Sequence, residues 1–409
     1  MRYLRTAPTR RLLVTIFGAL ATAAACAAIA VAATGAAPVP RPTTLANGIH
    51  GALSAGKQDP VTGISADITF TDNLIDSTDL TGRTVDPLLQ GASGRLWWTA
   101  GGRFRLELQS DDGDAQIVVD QHSWWVSDPV QNVVFEGTMG GSSGPSGASG
   151  SSSAGSQGSS HGLPTIASIQ GELARLMQRF DITGPTATDV GGRPAYSVTV
   201  SPKTSAGLLG SIQLAWDASR GIPLQFNVYA RGSATPVLGL LATSVSYGAV
   251  PASVFDISPP AGAHIVNVGS SDAKATGART QNGRAITGPK QVAARVSFPL
   301  NSPASVNGLG LRKVKLDGPD SALLLYGHGL GTIAVIESRA SGTSGAGSSS
   351  SLDGLSLPTH SVAGATATVL STPLGTVLRF TKGGVGYTVV GSVTAAGAES
   401  AAGALAAGG

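Results

Sequence analysis

The side chains with the most chemistry to offer are scattered along this chain. The histidines are His50, His122, His161, His264, His328 and His360; no two lie within five positions, and none adjoins the single cysteine, Cys26. That spacing does not suit a metal site, and one cysteine supports neither a disulfide scaffold nor a thiolate zinc site. Gly140-Gly-Ser-Ser-Gly144 matches the G-x-S-x-G nucleophile pattern. It sits in a Gly/Ser tract with no strand feeding it into a helix, so the strained turn that would expose a nucleophilic serine is missing. No phosphate-binding loop or dinucleotide fingerprint occurs. Asp111, Asp112 and Asp114 do not have calcium-loop spacing and read as a hairpin turn. The sequence therefore reads as non-enzymatic, with no cofactor and no metal.

The distinctive side chains are aromatic and aliphatic. Trp97-Trp98 and Trp124-Trp125 are adjacent pairs in strand-like segments, so one member of each faces a core or cavity and the other faces outward. Phe104, Leu106 and Leu108 alternate with Arg103, Arg105 and Glu107, the period-two pattern of a half-buried strand. Further strands are expected at 64–71, 95–99, 116–120, 123–128, 132–136, 195–200, 211–216, 223–231 and 237–247. Between the fifth and sixth of these lies one amphipathic helix, at 164–180. Its apolar stripe is Ile166, Ile169, Leu173, Leu176, Met177 and Phe180. A second set of strands is expected at 293–298, 322–326, 332–337, 366–370, 376–381 and 386–390, followed by an Ala-rich helix at 394–407.

Composition sets the class. Of 409 residues, 42% are hydrophobic, enough for cores of ordinary size, while only 12% are charged. Arg2, Arg5, Arg10 and Arg11 precede an uncharged run at 12–33, and removing those four charges from the net +3 leaves −1. The body is thus nearly neutral and has no nucleic-acid-binding character. Basic, then apolar, then small residues is the order of an export signal, and the run is also long enough to span a bilayer. It reads as a cleaved signal or a retained anchor, with everything beyond it extracytoplasmic. Ala24-Ala25-Cys26 has small residues where a lipidation box needs them, but Ala23 stands in place of its leucine. The expected organisation is a signal or anchor at 1–40, a first domain at 41–269 with a Gly/Ser-rich insertion at 138–162, and a linker at 270–290. A smaller α+β domain follows at 291–409, with a Gly/Ser-rich loop at 340–351.

Several motifs carry a family resemblance. Gly94-Arg-Leu-Trp-Trp-Thr-Ala-Gly-Gly-Arg-Phe-Arg-Leu-Glu107 is one, and Ile117-Val-Val-Asp120 continued by Trp124-Trp-Val-Ser-Asp-Pro129 is the next. Leu214-Ala-Trp-Asp217 with Gly221-Ile-Pro-Leu224, then Phe255-Asp-Ile-Ser-Pro-Pro-Ala-Gly-Ala263, complete the set. In that order they resemble the LolA lipoprotein carriers and the related RseB/MucB sensors. The C-terminal part, with Tyr326-Gly-His-Gly329 and Tyr387-Thr-Val-Val-Gly391, resembles the small β domain of some exported relatives. Where the carriers place a lid-latching arginine and a proline, this chain has Ala100 and Gly101.

The resemblance implies a mainly β (α+β) fold. A curved antiparallel sheet forms an incomplete barrel, a helix covers its concave face, and a smaller β-rich domain follows. It also implies an apolar pocket for a lipid or lipoprotein acyl chain. The inward set would be Leu96, Trp98, Phe104, Leu106, Ile117, Val119, Trp124, Val126, Leu173, Leu176 and Phe226. The implied partners are that acyl chain, the membrane through the N-terminus, and, in the sensor-like alternative, an extracytoplasmic envelope protein. A scaffold with a filled core is the remaining reading.

Overall fold

A computed structural model describes residues 39–75, 87–109, 114–138, 164–268, 286–318, 320–340, 351–352 and 355–407. The expected signal or anchor and nearly all of the expected Gly/Ser insertion and linker lie outside the described residues. So do Asp111 and Asp112 of the acidic turn.

The fold is mainly β. Helix α1 (Leu45–Gln58) leads into β1 (Gly63–Asp72), the short α2 (Pro87–Gln90) and a meander of five strands. These are β2 (Ala92–Thr99), β3 (Arg103–Leu108), β4 (Ala115–Asp120), β5 (Ser123–Asp128) and β6 (Val133–Thr138). Helix α3 (Ile166–Leu176) precedes a second meander of β7 (Phe180–Val190), β8 (Arg193–Pro202), β9 (Leu209–Asp217), β10 (Pro223–Ala230) and β11 (Pro236–Tyr247). The edge strand β12 (His264–Asn267) closes the series. Helices α1 and α3 start at threonine N-caps: Thr44 Oγ1 accepts from Asn47 N at 3.3 Å and Thr165 Oγ1 from Ser168 N at 3.2 Å.

These strands form one twelve-stranded sheet in the order β12-β6-β5-β4-β3-β2-β1-β11-β10-β9-β8-β7. Every pairing is antiparallel except β12 with β6. The join between the two meanders is β1 with β11, far apart in sequence. The sheet curls on itself. The β7–β8 turn at Gly191-Gly192 has φ of 60° and 74°, the left-handed pair of a tight hairpin turn. That turn packs against Ala242 and Val245 of β11, three strands away, and Arg193 Nη2 donates to the Val245 carbonyl at 3.3 Å.

The second sheet follows α4 (Pro289–Ala293). Its strands are β13 (Ser305–Val306), β14 (Leu309–Leu316), β15 (Ser321–Tyr326) and β16 (Ile333–Arg339), with a small separate pair, β17 (Ser351–Leu352) and β18 (Leu355–Ser356). Then come β19 (Thr359–Val362), β20 (Ala365–Thr372), β21 (Gly375–Lys382), β22 (Val385–Gly391) and helix α5 (Ala395–Ala407). The order is β13-β14-β15-β16-β22-β21-β20-β19, antiparallel throughout. Helix α5 presses its small residues Ala398, Ala401 and Ala402, together with Leu405, onto this sheet, and all four are fully buried. Between the sheets Leu208 N donates to Ser392 Oγ at 2.8 Å, and Leu370 and Leu357 pack with Ile75 and Leu89.

Three local expectations are corrected. The helix expected to 180 ends at Leu176, and Phe180 opens β7 instead. In that eleven-residue strand Phe180 and Ile182 alternate with Asp181 and Thr183, but a register shift against β8 between Thr183 and Thr186 interrupts the period that would mark it in the sequence. The strand expected at 293–298 is the end of α4 followed by turns, since Pro289 at the helix start favours a helical turn there.

Candidate functional site

Cross-strand partners share a face of the sheet, so the register identifies one continuous apolar surface. Leu106 of β3 lies opposite Leu96 on one side and Ile117 on the other; Val126 of β5 continues the row. The next row is Trp98, Phe104, Val119 and Trp124. Beyond β1 the row Phe70, Leu240, Phe226, Leu214 and Val198 carries the same face to β8. Val245, against which the β7–β8 turn packs, belongs to this face, so the apolar side is the inside of the curl.

Nine of the eleven anticipated residues therefore share one surface. Leu96, Phe104, Leu106, Ile117 and Val126 are buried in the first core, with Trp98, Val119, Trp124 and Phe226 half-buried against it. The outward members of the tryptophan pairs point away: Trp97 lies opposite Arg105, whose guanidinium stacks 5.1 Å from its ring. Leu173 and Leu176 are not part of that core. Helix α3 packs beside α1; Ile169 is its one buried apolar side chain, Leu173 is half-buried and Leu176 is 49% exposed.

The surface is buried or half-buried along both meanders and opens at one point on β9. There Leu214 is 38% exposed, next to half-buried Phe226 and Ile212. The alternation Ile212, Leu214, Trp216 was visible in the sequence; that its middle member stays open was not. Helix α1 covers the adjoining position. Gly48 faces the Trp216 ring, and a Cβ there would lie 3.5 Å from it, at ordinary contact distance. Trp216 packs on Tyr196, with ring centroids 6.1 Å apart, and the Tyr196 hydroxyl donates to the Arg41 carbonyl at 2.6 Å.

A polar node braces this end. Asp217, almost fully buried, accepts at Oδ1 from Ser219 N (2.7 Å), Ser219 Oγ (2.6 Å) and Arg220 N (2.9 Å), and at Oδ2 from the Tyr247 hydroxyl (2.6 Å). Arg193 and Arg220 each stack 4.9 Å from the Tyr247 ring centre. Arg220 also pairs with Asp59 at 2.9 Å, tying α1 to the β9–β10 turn. Burial, reinforced by the hydrogen bond to Asp217, pushes the Tyr247 phenol well above its ordinary range, so it keeps its proton and serves as a donor. In the sequence Asp217 stands out only as the last residue of the Leu214-Ala-Trp-Asp217 motif. Its link to Tyr247 spans two strands and leaves no local signal. Among the described residues no group of three His, Cys, Asp or Glu side chains could hold a metal ion.

No protein-family model matches the chain, and a search of curated proteins finds no match. Solved structures of MucB are similar. The Pseudomonas aeruginosa MucA/MucB complex aligns at 16% identity over 87% of this chain and 96% of that one, with a TM-score of 0.41. MucB in complex with MucA(peri) aligns at 15% identity, covering 88% and 97%, with a TM-score of 0.41. An uncharacterised conserved protein from Thermus thermophilus aligns at 10% identity, covering 55% and 99%, with a TM-score of 0.32.

Proposed function

We propose that this is an exported, non-enzymatic binding protein that takes a lipid or lipoprotein acyl chain on the inner face of its first sheet. The observation that carries this reading is Leu214, a large apolar side chain left open on a face whose neighbours are apolar and largely buried. An isolated exposed leucine needs no explanation; one that continues an internal apolar surface marks where that surface can accept more. Residues Ile212, Leu214 and Phe226 would form the wall, with α1 as the fixed cover at Trp216. The denser set, Leu96, Phe104, Leu106, Ile117 and Val126, would be the packed floor that keeps the curl rigid. Each methylene withdrawn from water contributes about 0.8 kcal/mol, so a long chain needs no polar anchor to bind.

The test is binding of a fluorescent fatty-acid analogue, with native mass spectrometry of protein purified from its own membranes. The expected result is a lipid mass adduct, with analogue binding that weakens in Leu214→Glu. Absence of both an adduct and analogue binding would overturn the reading in favour of a filled scaffold. A polypeptide adduct would instead identify an envelope-protein partner.

A further inference from the structure

Among the described residues eight large apolar side chains are exposed, and five of them fall on two neighbouring helices and the segments at their ends. Val39 precedes α1 and Leu53 lies on it; Ile166 and Leu176 lie on α3, and Met177 follows it. Their exposures run from 39% at Ile166 to 59% at Val39. Only the middle of the α3 stripe is covered. Ile169 is buried and Leu173 half-buried, while the ends of the same stripe face outward. A concentration of exposed apolar groups on and beside one helix pair is the mark of a docking surface.

Two further observations say what covers it. The chain enters α1 from the uncharged run at 12–33, and only eleven residues separate Ala33 from Leu45. Fully extended, that stretch reaches at most about 40 Å, so a membrane holding the run lies within reach of the helix pair. The charge also suits a lipid surface. Helix α1 carries no acid, and across residues 39–58 and 164–180 Arg41, Lys57, Arg175 and Arg179 stand against the single acid Glu172. Apolar side chains flanked by cations on a short helix favour the interface of a bilayer with anionic headgroups.

We propose that α1 and α3 form a membrane-docking platform, which lays Leu53, Ile166, Leu176 and Met177 into the outer face of the bilayer that holds residues 12–33. The inference rests on the acyl-binding reading in one respect. Helix α1 covers Trp216, two residues from Leu214, so docking brings the open end of the inner face to the lipid from which an acyl chain would be taken.

The experiment uses the full chain carrying Cys26→Ser, so that each introduced cysteine is the sole thiol. An environment-sensitive fluorophore is attached in turn at Val39→Cys, Leu53→Cys, Met177→Cys and Ile265→Cys. The proteins are reconstituted into vesicles of phosphatidylglycerol and phosphatidylcholine with brominated acyl chains. Ile265 is the control, equally exposed but on β12, at the opposite edge of the sheet from β7. The expected result is strong quenching at Leu53 and Met177, close to that at Val39, and none at Ile265. Adding Leu176→Asp should release the Leu53 probe while Val39 stays quenched. Probes at Leu53 and Met177 quenched no more than Ile265 would overturn the platform, whether or not Val39 is quenched. Fatty-acid binding is measured separately on the same chain in detergent. Its absence alongside quenched platform probes would remove the acyl reading and leave the docking surface standing.

Discussion

Glu337 offers the sharpest test of the second sheet. It sits on β16 opposite Tyr387 of β22 and Ala322 of β15, and it is completely buried. One carboxyl oxygen accepts the Asn301 backbone N–H at 3.0 Å; the other has no hydrogen-bond partner. Asn301 in turn donates from its side chain to the Leu405 carbonyl, which ties the group to the end of α5. Burial raises the carboxyl pKa from 4.5 to about 8, only partly offset by the Asn301 N–H. The folded protein therefore holds a proton at Glu337 through the neutral range that the unfolded chain releases. Raising the pH then favours unfolding: the contribution is full below about pH 4.5, declines through the interval to about 8 and is flat above it. One proton corresponds to about 1.4 kcal/mol per pH unit, so the loss between pH 5 and 7 is about 2–3 kcal/mol. Glu337→Gln keeps the shape and an acceptor for Asn301 N–H but cannot ionise. Urea denaturation of both proteins at several pH values reads the difference directly. Wild-type stability should fall relative to Glu337→Gln across this range and run parallel above it. Parallel curves throughout would show that Glu337 is ionised in the fold, and the argument from burial would fail.

Other outcomes follow from the first sheet. Leu106→Ala removes a side chain packed between Leu96 and Ile117 and should cost about 2–5 kcal/mol in chemical denaturation. Asp217→Ala strips acceptors from Ser219, Arg220 and Tyr247; at about 1.5–3 kcal/mol per bond to a charged group, the loss should reach several kcal/mol in the same assay. Gly94→Val would drive its Cβ into the Glu107 carbonyl across the β2–β3 pair, and thermal unfolding should shift down by the equivalent of about 1–3 kcal/mol. Leu214→Glu lies at an open position, so its stability should stay within about 0.5 kcal/mol of wild type while fatty-acid binding falls.

The amino-acid sequence by itself determined most of the local elements. The alternation Phe104, Leu106, Leu108 is a half-buried strand because side chains alternate across a pleat, and the observed burial follows it residue by residue. The Ala-rich tail at 395–407 is helical despite its glycines, because its small residues let it lie close on the second sheet. Tertiary structure decided what each face meets. The stripe from Ile166 to Leu176 was legible as apolar, but periodicity names a face and not its partner; α3 lies beside α1 instead of filling the curl. Strand β7 has only a short alternation, Phe180 and Ile182, before the irregularity at Gly184-Pro185, and its ladder to β8 carries the rest. Glu337 looked like the polar end of an apolar strand. Only the neighbouring strands, Asn301 and α5, which no sequence window contains together, enclose it, and that burial is what keeps its proton on.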